Sequence, residues 1–113
     1  MRENKFQADL IKKIKSMFPG CYVLKTDANY IQGFPDLLIL YKDSWAALEC
    51  KKSSAASYRP NQEYYVSSLN RMSYASFIFP ENEEEVFDDL EQAFKRSTRR
   101  SSRISKRKQI FMD

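Results

Sequence analysis

Two carboxylates and a lysine flank a pair of apolar runs near the middle of the chain. Asp36 comes directly before the first run, and Glu49 and Lys51 follow the second. Apolar runs of this length, separated by turn-forming residues, predict a β-hairpin. Because neither run has a polar face, we expect both strands to lie centrally in a sheet that is covered on both sides. The runs are residues 37–41 and 45–48, and the polar residues 42–44 separate them.

The chemistry open to these side chains depends on their pairing. Residues two apart in a strand point to the same side, so Glu49 and Lys51 share a face. Lys51 could simply form an ion pair with Asp36 or Glu49 at the end of the sheet, because charged groups are rarely buried without a partner. Two adjacent carboxylates without a cation would repel each other, and a hard divalent cation such as Mg²⁺ relieves that repulsion. The pattern therefore favours a metal site, in which the backbone carbonyl of Cys50 supplies a third protein oxygen and Lys51 lies beside water and a phosphate.

The hairpin register decides whether Asp36 and Glu49 can act together. They share a face only if the numbers of directly paired residues add up to an odd value, as with Lys42 opposite Trp45. A register shifted by one residue would put them on opposite faces unless a bulge near Pro35 corrects it. The metal hypothesis thus predicts an odd register.

The spacing of these residues resembles the signature of the PD-(D/E)XK nuclease superfamily. Asp36 is preceded by Pro35 and followed 13 positions later by the motif Glu-Cys-Lys, residues 49–51. The motif Gly-Phe-Pro-Asp, residues 33–36, is similar to VRR-NUC-type and phage nucleases. The Glu-Cys-Lys motif, followed by a helix that contains a Gln, is similar to archaeal-type Holliday junction resolvases. The resemblance covers roughly residues 3–79 and implies Mg²⁺-dependent or Mn²⁺-dependent hydrolysis of phosphodiester bonds in DNA.

The same resemblance implies roles for two residues outside the hairpin. Glu3 stands at the head of the apolar stripe of the first predicted helix and would bring a further carboxylate to the metal site, although a Glu in the first turn could equally complement the helix dipole. Gln62 stands in the first turn of the second predicted helix and would help to hold the site, unless it is a buried amide with structural hydrogen bonds. The implied catalytic set is Asp36, Glu49, Lys51, Glu3 and Gln62, with the metal held by Asp36, Glu49, Glu3 and the Cys50 carbonyl.

Basic residues are concentrated at the C-terminal end. Residues 95–113 carry eight Lys and Arg against one acid, whereas residues 1–94 carry 11 against 14. An acidic body would repel DNA, so the basic segment favours an arm that neutralises phosphates; a solubilising tail is the alternative. We therefore divide the chain into a nuclease domain, 1–94, and a basic tail, 95–113. The candidate DNA contacts are Lys25, Lys52, Arg59, Arg96, Arg99, Arg100, Arg103, Lys106, Arg107 and Lys108.

Lys25 is a candidate for a specific reason. It lies at the end of the first predicted strand, where related phage nucleases bring a Lys to the nucleic acid, although a solvated loop lysine is the alternative.

The remaining segments predict an α/β fold with a restriction-endonuclease-like core. Helical spacing of apolar residues over 2–18, with Pro19-Gly20 behind it, predicts a first helix, and weak alternation predicts a strand over 21–26. Pro60 begins a second helix, residues 74–79 form a fourth strand, and Pro80 and Asn82 start an acidic helix. The order is thus α-β-β-β-α-β followed by a C-terminal helix. The predicted buried residues of the helices are Phe6, Leu10, Ile14, Met17, Tyr65, Val66, Leu69, Met72, Val86, Phe87, Leu90 and Phe94.

Composition excludes several other kinds of catalysis. The chain has no His, which removes His-based general bases, Ser-His and Cys-His pairs, and HNH-type nuclease chemistry. Cys21 and Cys50 are too few and too far apart for a zinc site, and they do not imply a disulfide. The length of 113 residues indicates one domain. We expect an intracellular, cytoplasmic protein, in the host cell if it is phage-encoded, because we find no signal peptide and no apolar run long enough to span a membrane.

The small size suits recognition of DNA shape and not of sequence. The first expectation is therefore a structure-specific endonuclease of the phage Holliday junction resolvase type. Such an enzyme cuts two strands symmetrically, which implies a homodimer with twofold symmetry. The alternative is a non-catalytic DNA-binding or inhibitory protein that retains the nuclease fold.

Overall fold

The computed structural model describes the backbone of residues 3–95 and the side chains of residues 4–95. It is an α/β structure with a four-stranded mixed sheet and three helices. The order of helices and strands is the predicted one. The elements are α1 (Glu3–Met17), β1 (Tyr22–Lys25), β2 (Leu37–Tyr41), β3 (Ser44–Cys50), α2 (Pro60–Met72), β4 (Tyr74–Ile78), a single 3-10 turn (Pro80–Asn82) and α3, described over 83–95.

The sheet has the strand order β1-β2-β3-β4, so the hairpin strands β2 and β3 lie at its centre as predicted. The first three strands are antiparallel, whereas β4 runs parallel to β3. A parallel neighbour requires a crossover connection, and α2 supplies it. The carboxyl ends of β3 and β4 and the first turn of α2 consequently meet at the same end of the sheet.

The register of the hairpin is odd, which confirms the prediction. Leu37 pairs with Leu48 and Tyr41 pairs with Ser44. The connection is therefore a two-residue turn, shorter than the three-residue break expected from the sequence. Lys42 begins this turn with a φ of 57°, a value that a non-glycine residue adopts mainly in tight turns.

The larger part of the core lies between one face of the sheet and helices α1 and α3. The expected apolar residues of α3 are buried here, and so are the first three of α1. Met17 is the exception, since 39% of its surface is exposed, so that prediction is wrong. Phe18, four residues after Ile14, occupies the next inward position of the stripe, because positions i and i+4 lie on the same side of a helix. The buried residues of the helices are Phe6, Leu10, Ile14, Phe18, Val86, Phe87, Leu90 and Phe94.

A smaller core lies on the other face, where α2 packs on β3 and β4. Val66 is buried against Ala47 and Ala75, and Leu69 is partly buried beside them. Met72 is 71% exposed, which contradicts the prediction. Six residues correspond to about 600° of helical rotation, so Met72 lies about 120° around the helix from Val66 and points away from the sheet.

The face that α2 covers is only partly closed. Near the edge strand, Tyr22, Leu24 and Leu40 are 69%, 46% and 37% exposed, and pairing places all three on this face. The expectation of a sheet covered on both sides therefore holds for the β3–β4 half and fails beside β1. The reason is that a single helix of 13 residues cannot span four strands.

Polar contacts connect α3 to the rest of the domain. Lys13 of α1 forms an ion pair of 2.7 Å with Glu83, but the Lys13 side chain is 55% exposed, so the pair contributes little stability. The Tyr74 hydroxyl donates to the carboxylate of Asp89 at 2.9 Å. Burial, and then this hydrogen bond, raise the pKa of Tyr74 well above its ordinary value. The acidic face of α3 thus has structural partners.

The part of the chain that the structure describes contains no helix with both the length and the apolar character needed to cross a bilayer.

Candidate active site

The hairpin register brings the two carboxylates together. Carrying the observed pairing one residue beyond Leu37 and Leu48 places Asp36 directly opposite Glu49. Residues paired in this way have Cβ atoms roughly 4.5–5.5 Å apart and on the same face. Glu49 is only 3% exposed, while Asp36 is half-buried. The two side chains that the sequence predicts as metal ligands therefore share one face at the end of the hairpin.

Two hydrogen bonds from backbone N–H groups hold Asp36, which follows Pro35. Where the ladder between β2 and β3 ends, the backbone N–H of Cys50 donates to Oδ2 of Asp36 at 2.9 Å. A side-chain carboxylate thus takes a place that a backbone carbonyl would fill in a longer strand. On the other side of Asp36, its backbone carbonyl accepts from the N–H of Thr26 at 2.9 Å. Asp36 is consequently held from both neighbouring strands.

Gln62 connects the charged residues of the site. Its Nε2 donates to Oε2 of Glu49 at 3.1 Å, and its Oε1 accepts from Nζ of Lys51 at 2.8 Å. The same Oε1 accepts the backbone N–H of Arg59 at 3.1 Å, which completes one half of a capping interaction at the start of α2. The sequence predicts Gln62 at the site, and the structure places its amide between Glu49 and Lys51. Its bonding capacity fits this position, because an amide can donate to a carboxylate and accept from an ammonium group at once.

Lys51 is buried at the edge of the site, with 9% of its surface exposed. Its Nζ lies 4.0 Å from Oε2 of Glu49, so the Glu49–Lys51 pair considered from the sequence is present, at the long limit of an ion pair. The ammonium group also lies 5.6 Å above the ring of Tyr58, which packs on Phe77 with a centroid separation of 4.3 Å. The backbone N–H of Lys51 donates to the carbonyl of Ile78 in the parallel ladder at 2.9 Å. Backbone and side chain are therefore both fixed.

The charges and donors of the site fit a divalent cation. Two carboxylates face each other in a largely buried place, where a divalent cation would relieve their repulsion. Each carboxylate accepts a hydrogen bond from a protein N–H, as carboxylates that bind metals usually do. Within the described residues no group of three or more His, Cys, Asp or Glu side chains is arranged as metal ligands. A metal here would take two carboxylates, the Cys50 carbonyl and water, a donor set typical of Mg²⁺.

The predicted fourth ligand, Glu3, lies at the first residue of α1. Its side chain is outside the described part of the chain, so its role stays a prediction.

An open cleft of about 460 Å³ leads to the two carboxylates. Asp36 and Glu49 lie at its base, and the first turn of α2 forms one wall with Arg59, Asn61 and Gln62. The loop between β1 and β2 forms the other wall. The cleft gives a ligand access to Asp36 and Glu49 from solvent.

Gly33 allows the two walls to approach each other. Its φ is +88°, and a Cβ built on it would lie 2.6 Å from the side-chain amide of Asn61. Nδ2 of Asn61 donates to the carbonyl of Gln32 at 3.1 Å. Sequence reasoning did not identify Asn61, and the only signal was Gly33 within the motif that carries the family resemblance.

The candidate DNA contacts lie in different places. Arg59 lines the cleft, and Lys52 is exposed in the loop that follows Lys51. Lys25 pairs with Leu37, whose side chain is in the larger core, so Lys25 lies on the face opposite Asp36 and Glu49. The structure thus does not bring Lys25 into the cleft. The predicted contacts Arg96, Arg99, Arg100, Arg103, Lys106, Arg107 and Lys108 lie outside the described residues.

Comparisons of this chain with protein-family models, with curated proteins and with solved structures found no match.

Proposed function

We propose that this protein is a metal-dependent endonuclease of the PD-(D/E)XK type with a restriction-endonuclease-like core. The observation that carries the proposal is the odd register of the hairpin, which puts Asp36 opposite Glu49 with Lys51 two residues further along the same face. Two acids that line an open cleft at the end of a hairpin, with a lysine beside one of them, match the chemistry that the sequence motif implies. The element order agrees with that core as well.

In this proposal Asp36, Glu49, the Cys50 carbonyl and Glu3 hold one or two Mg²⁺ or Mn²⁺ ions. A bound cation would polarise the phosphate and make water a stronger nucleophile at neutral pH. Lys51 orients the attacking water and stabilises the negative charge that develops on the phosphate oxygens. Gln62 holds the Lys51 ammonium group and the Glu49 carboxylate in place, so that neither group needs to reorganise during the reaction.

The substrate we propose is branched DNA, such as a Holliday junction. Arg59 in the cleft wall would contact a phosphate, and the basic residues after position 95 would neutralise others. Symmetric cutting of a junction requires two sites, so the proposal includes a homodimer. The exposed apolar side chains of Tyr22, Leu24 and Leu40 beside the edge strand support a further interface on this protein. Sedimentation velocity should then give a dimer mass.

The test is a cleavage assay on a panel of junction, flap, nicked and linear duplex DNA. Cutting should require Mg²⁺ or Mn²⁺ and stop with a chelator, whereas Ca²⁺ should support binding better than cutting. Asp36→Ala, Glu49→Ala and Lys51→Ala should each abolish cutting while circular dichroism shows an intact fold. Absence of cleavage on every substrate with either metal would overturn the proposal. Full activity of Lys51→Ala would refute the role given to Lys51.

A non-catalytic DNA-binding or inhibitory function is the second candidate. It is favoured by the hydrogen-bonded bridge from Lys51 through Gln62 to Glu49, which satisfies these charges without a metal. Isothermal titration with Mn²⁺ separates the two functions. Binding that disappears in Asp36→Ala supports the nuclease, while DNA binding without metal binding supports the alternative.

A further inference from the structure

A second groove lies beside the cleft, on the loop between β1 and β2. It has a volume of about 380 Å³, within the range of small-ligand sites. It shares Phe34 with the carboxylate cleft, and Phe34 is two residues before Asp36. A ligand in this groove would therefore be a close neighbour of a phosphate at the carboxylates. The groove is lined by Thr26, Asp27, Tyr30, Ile31 and Phe34.

Hydrogen bonds fix the shape of the loop before any ligand binds. At its base the Thr26 hydroxyl donates to the carbonyl of Pro35 at 2.6 Å. Further along, Oδ1 of Asp27 accepts the backbone N–H of Asn29 at 2.8 Å, and the Asp27 carbonyl accepts that of Tyr30 at 3.0 Å. Closely spaced ends and internal bonds make this a compact loop with a defined conformation. Little conformational entropy would be lost on binding.

The loop also rests on α2. Phe34 packs against Tyr65 with a centroid separation of 5.5 Å, and Asn61 holds the carbonyl of Gln32. In contrast to this packed base, the Tyr30 side chain is 84% exposed. The groove thus presents an accessible aromatic ring on a rigid support.

The lining of the groove suits a nucleobase and not a phosphate. Among the described residues its lining contains aromatic and aliphatic surface and one carboxylate, Asp27, and no cation. A phosphate would be repelled by Asp27, whereas a base can stack on an aromatic ring in a sequence-tolerant way. The Asp27 carboxylate has acceptor capacity beyond its bond to Asn29, and exocyclic amino groups of cytosine or adenine are donors for it.

We propose that this groove binds an unpaired nucleobase next to the scissile phosphate, with Tyr30 as the stacking platform and Asp27 as the acceptor for an exocyclic amino group. The inference rests on the proposed nuclease function for the position of the phosphate. In a duplex every base is already paired and stacked, so a duplex cannot fill the groove without extruding a base. Branch points, flaps and single strands supply unpaired bases. The groove would in this way select DNA structure.

The probe is a single-stranded oligonucleotide that carries one 2-aminopurine, with Ca²⁺ present to suppress cleavage. Stacking on Tyr30 should quench its fluorescence on binding, and the same base inside a blunt duplex should show no such change. Tyr30→Ala should weaken binding of the single strand about 5–150-fold and abolish the quenching, whereas Tyr30→Phe should retain both, because stacking needs only the ring. Tyr64→Ala is the matched control, since Tyr64 is an exposed tyrosine, 64%, on α2 that lines neither the groove nor the cleft. In competition binding, oligonucleotides that carry cytosine or thymine in place of the 2-aminopurine are compared. Asp27→Asn should reduce the preference of the protein for cytosine over thymine.

Two outcomes would overturn the inference. One is unchanged affinity and quenching in Tyr30→Ala, and the other is an equal loss in the Tyr64→Ala control. The nuclease proposal fails separately, by absence of metal-dependent cutting of any DNA. Cutting of DNA that does not depend on Tyr30 would support the nuclease proposal and refute the base subsite. Quenching that depends on Tyr30 without any cutting would support the base subsite and refute the nuclease proposal.

Discussion

Gln62 is the residue whose replacement gives the sharpest test of the site. Gln62→Ala removes three hydrogen bonds at once, to the Glu49 carboxylate, the Lys51 ammonium group and the backbone N–H of Arg59. A hydrogen bond to a charged group contributes about 1.5–3 kcal/mol, and a lost helix cap costs about 1 kcal/mol. These terms add up to about 4–7 kcal/mol, but most of the loss is recovered, because Lys51 lies 4.0 Å from Glu49 and can pair with it directly and because water reaches the exposed Arg59. We therefore expect the free energy of unfolding to fall by about 2 kcal/mol.

A loss of that size is easy to measure. For a domain of this length it corresponds to a fall in Tm of roughly 8–12 °C by differential scanning calorimetry. Gln62→Glu separates the two sides of the amide. It keeps acceptors for Lys51 and Arg59 but replaces the donor to Glu49 with a like charge, so it should be less stable at pH 7 than at pH 5. Glu63→Ala is the control, since Glu63 is an exposed neighbour in the same turn of α2.

The same variant tests the proposed chemistry. If Gln62 positions Lys51 and Glu49, Gln62→Ala should lower kcat at least tenfold at a temperature where the protein stays folded, and it should weaken Mn²⁺ binding. A Tm within 1 °C of the unchanged protein would refute the energetic reasoning. Unchanged kcat with a lowered Tm would show that the amide has a structural role only.

Three further predictions follow from other parts of the molecule. Gly33→Ala should lower the free energy of unfolding by more than the about 1–2 kcal/mol that left-handed backbone strain costs, because the new Cβ would also meet Asn61. Gly20→Ala is the control and should cost the strain only, because Gly20 has a similar φ of +90° and open space around it. Equal losses of the two variants in thermal melts would contradict this. Removal of residues 97–113 should make the slope of log K against log salt shallower by roughly 3–4 units if about four of its basic side chains contact phosphates, and an unchanged slope would mean that this segment does not touch duplex DNA. The pKa of Glu81 is lowered, first by a hydrogen bond from the backbone N–H of Ser54 and also by one from the Ser54 hydroxyl. The contact between Glu81 and Ser54 should therefore be complete above about pH 4.5, the ordinary pKa of a Glu. It should be lost as the pH falls through the lower pKa that Glu81 has in the folded protein. The amide shift of Ser54 in an NMR titration reports this loss, and Glu81→Gln should remove the pH dependence.

Local patterns in the sequence were sufficient for the secondary structure. Apolar periodicity located the three helices of residues 3–95, and the length of the apolar runs located the central hairpin. Strand ends differ by a residue or so, since β1 is Tyr22–Lys25 and not 21–26. These features depend on interactions between near neighbours, so the sequence alone determines them. The pair Asp36 and Glu49 was identified for the same reason, because both are adjacent to strands that the pattern defines.

Which side chains meet was decided only by the tertiary structure. Whether Asp36 faces Glu49 depends on a register that the sequence restricts to two alternatives, and the two-residue turn at Lys42 selects one of them. Gln62 joins Glu49 and Lys51 only because the crossover helix returns over the end of β3. The exposure of Met17 and Met72 has a similar origin, since helical spacing gives the direction of a side chain but not the extent of the surface that covers it. Contacts between residues that are distant in the chain depend on how helices and strands pack against each other, and a local sequence pattern does not determine that packing.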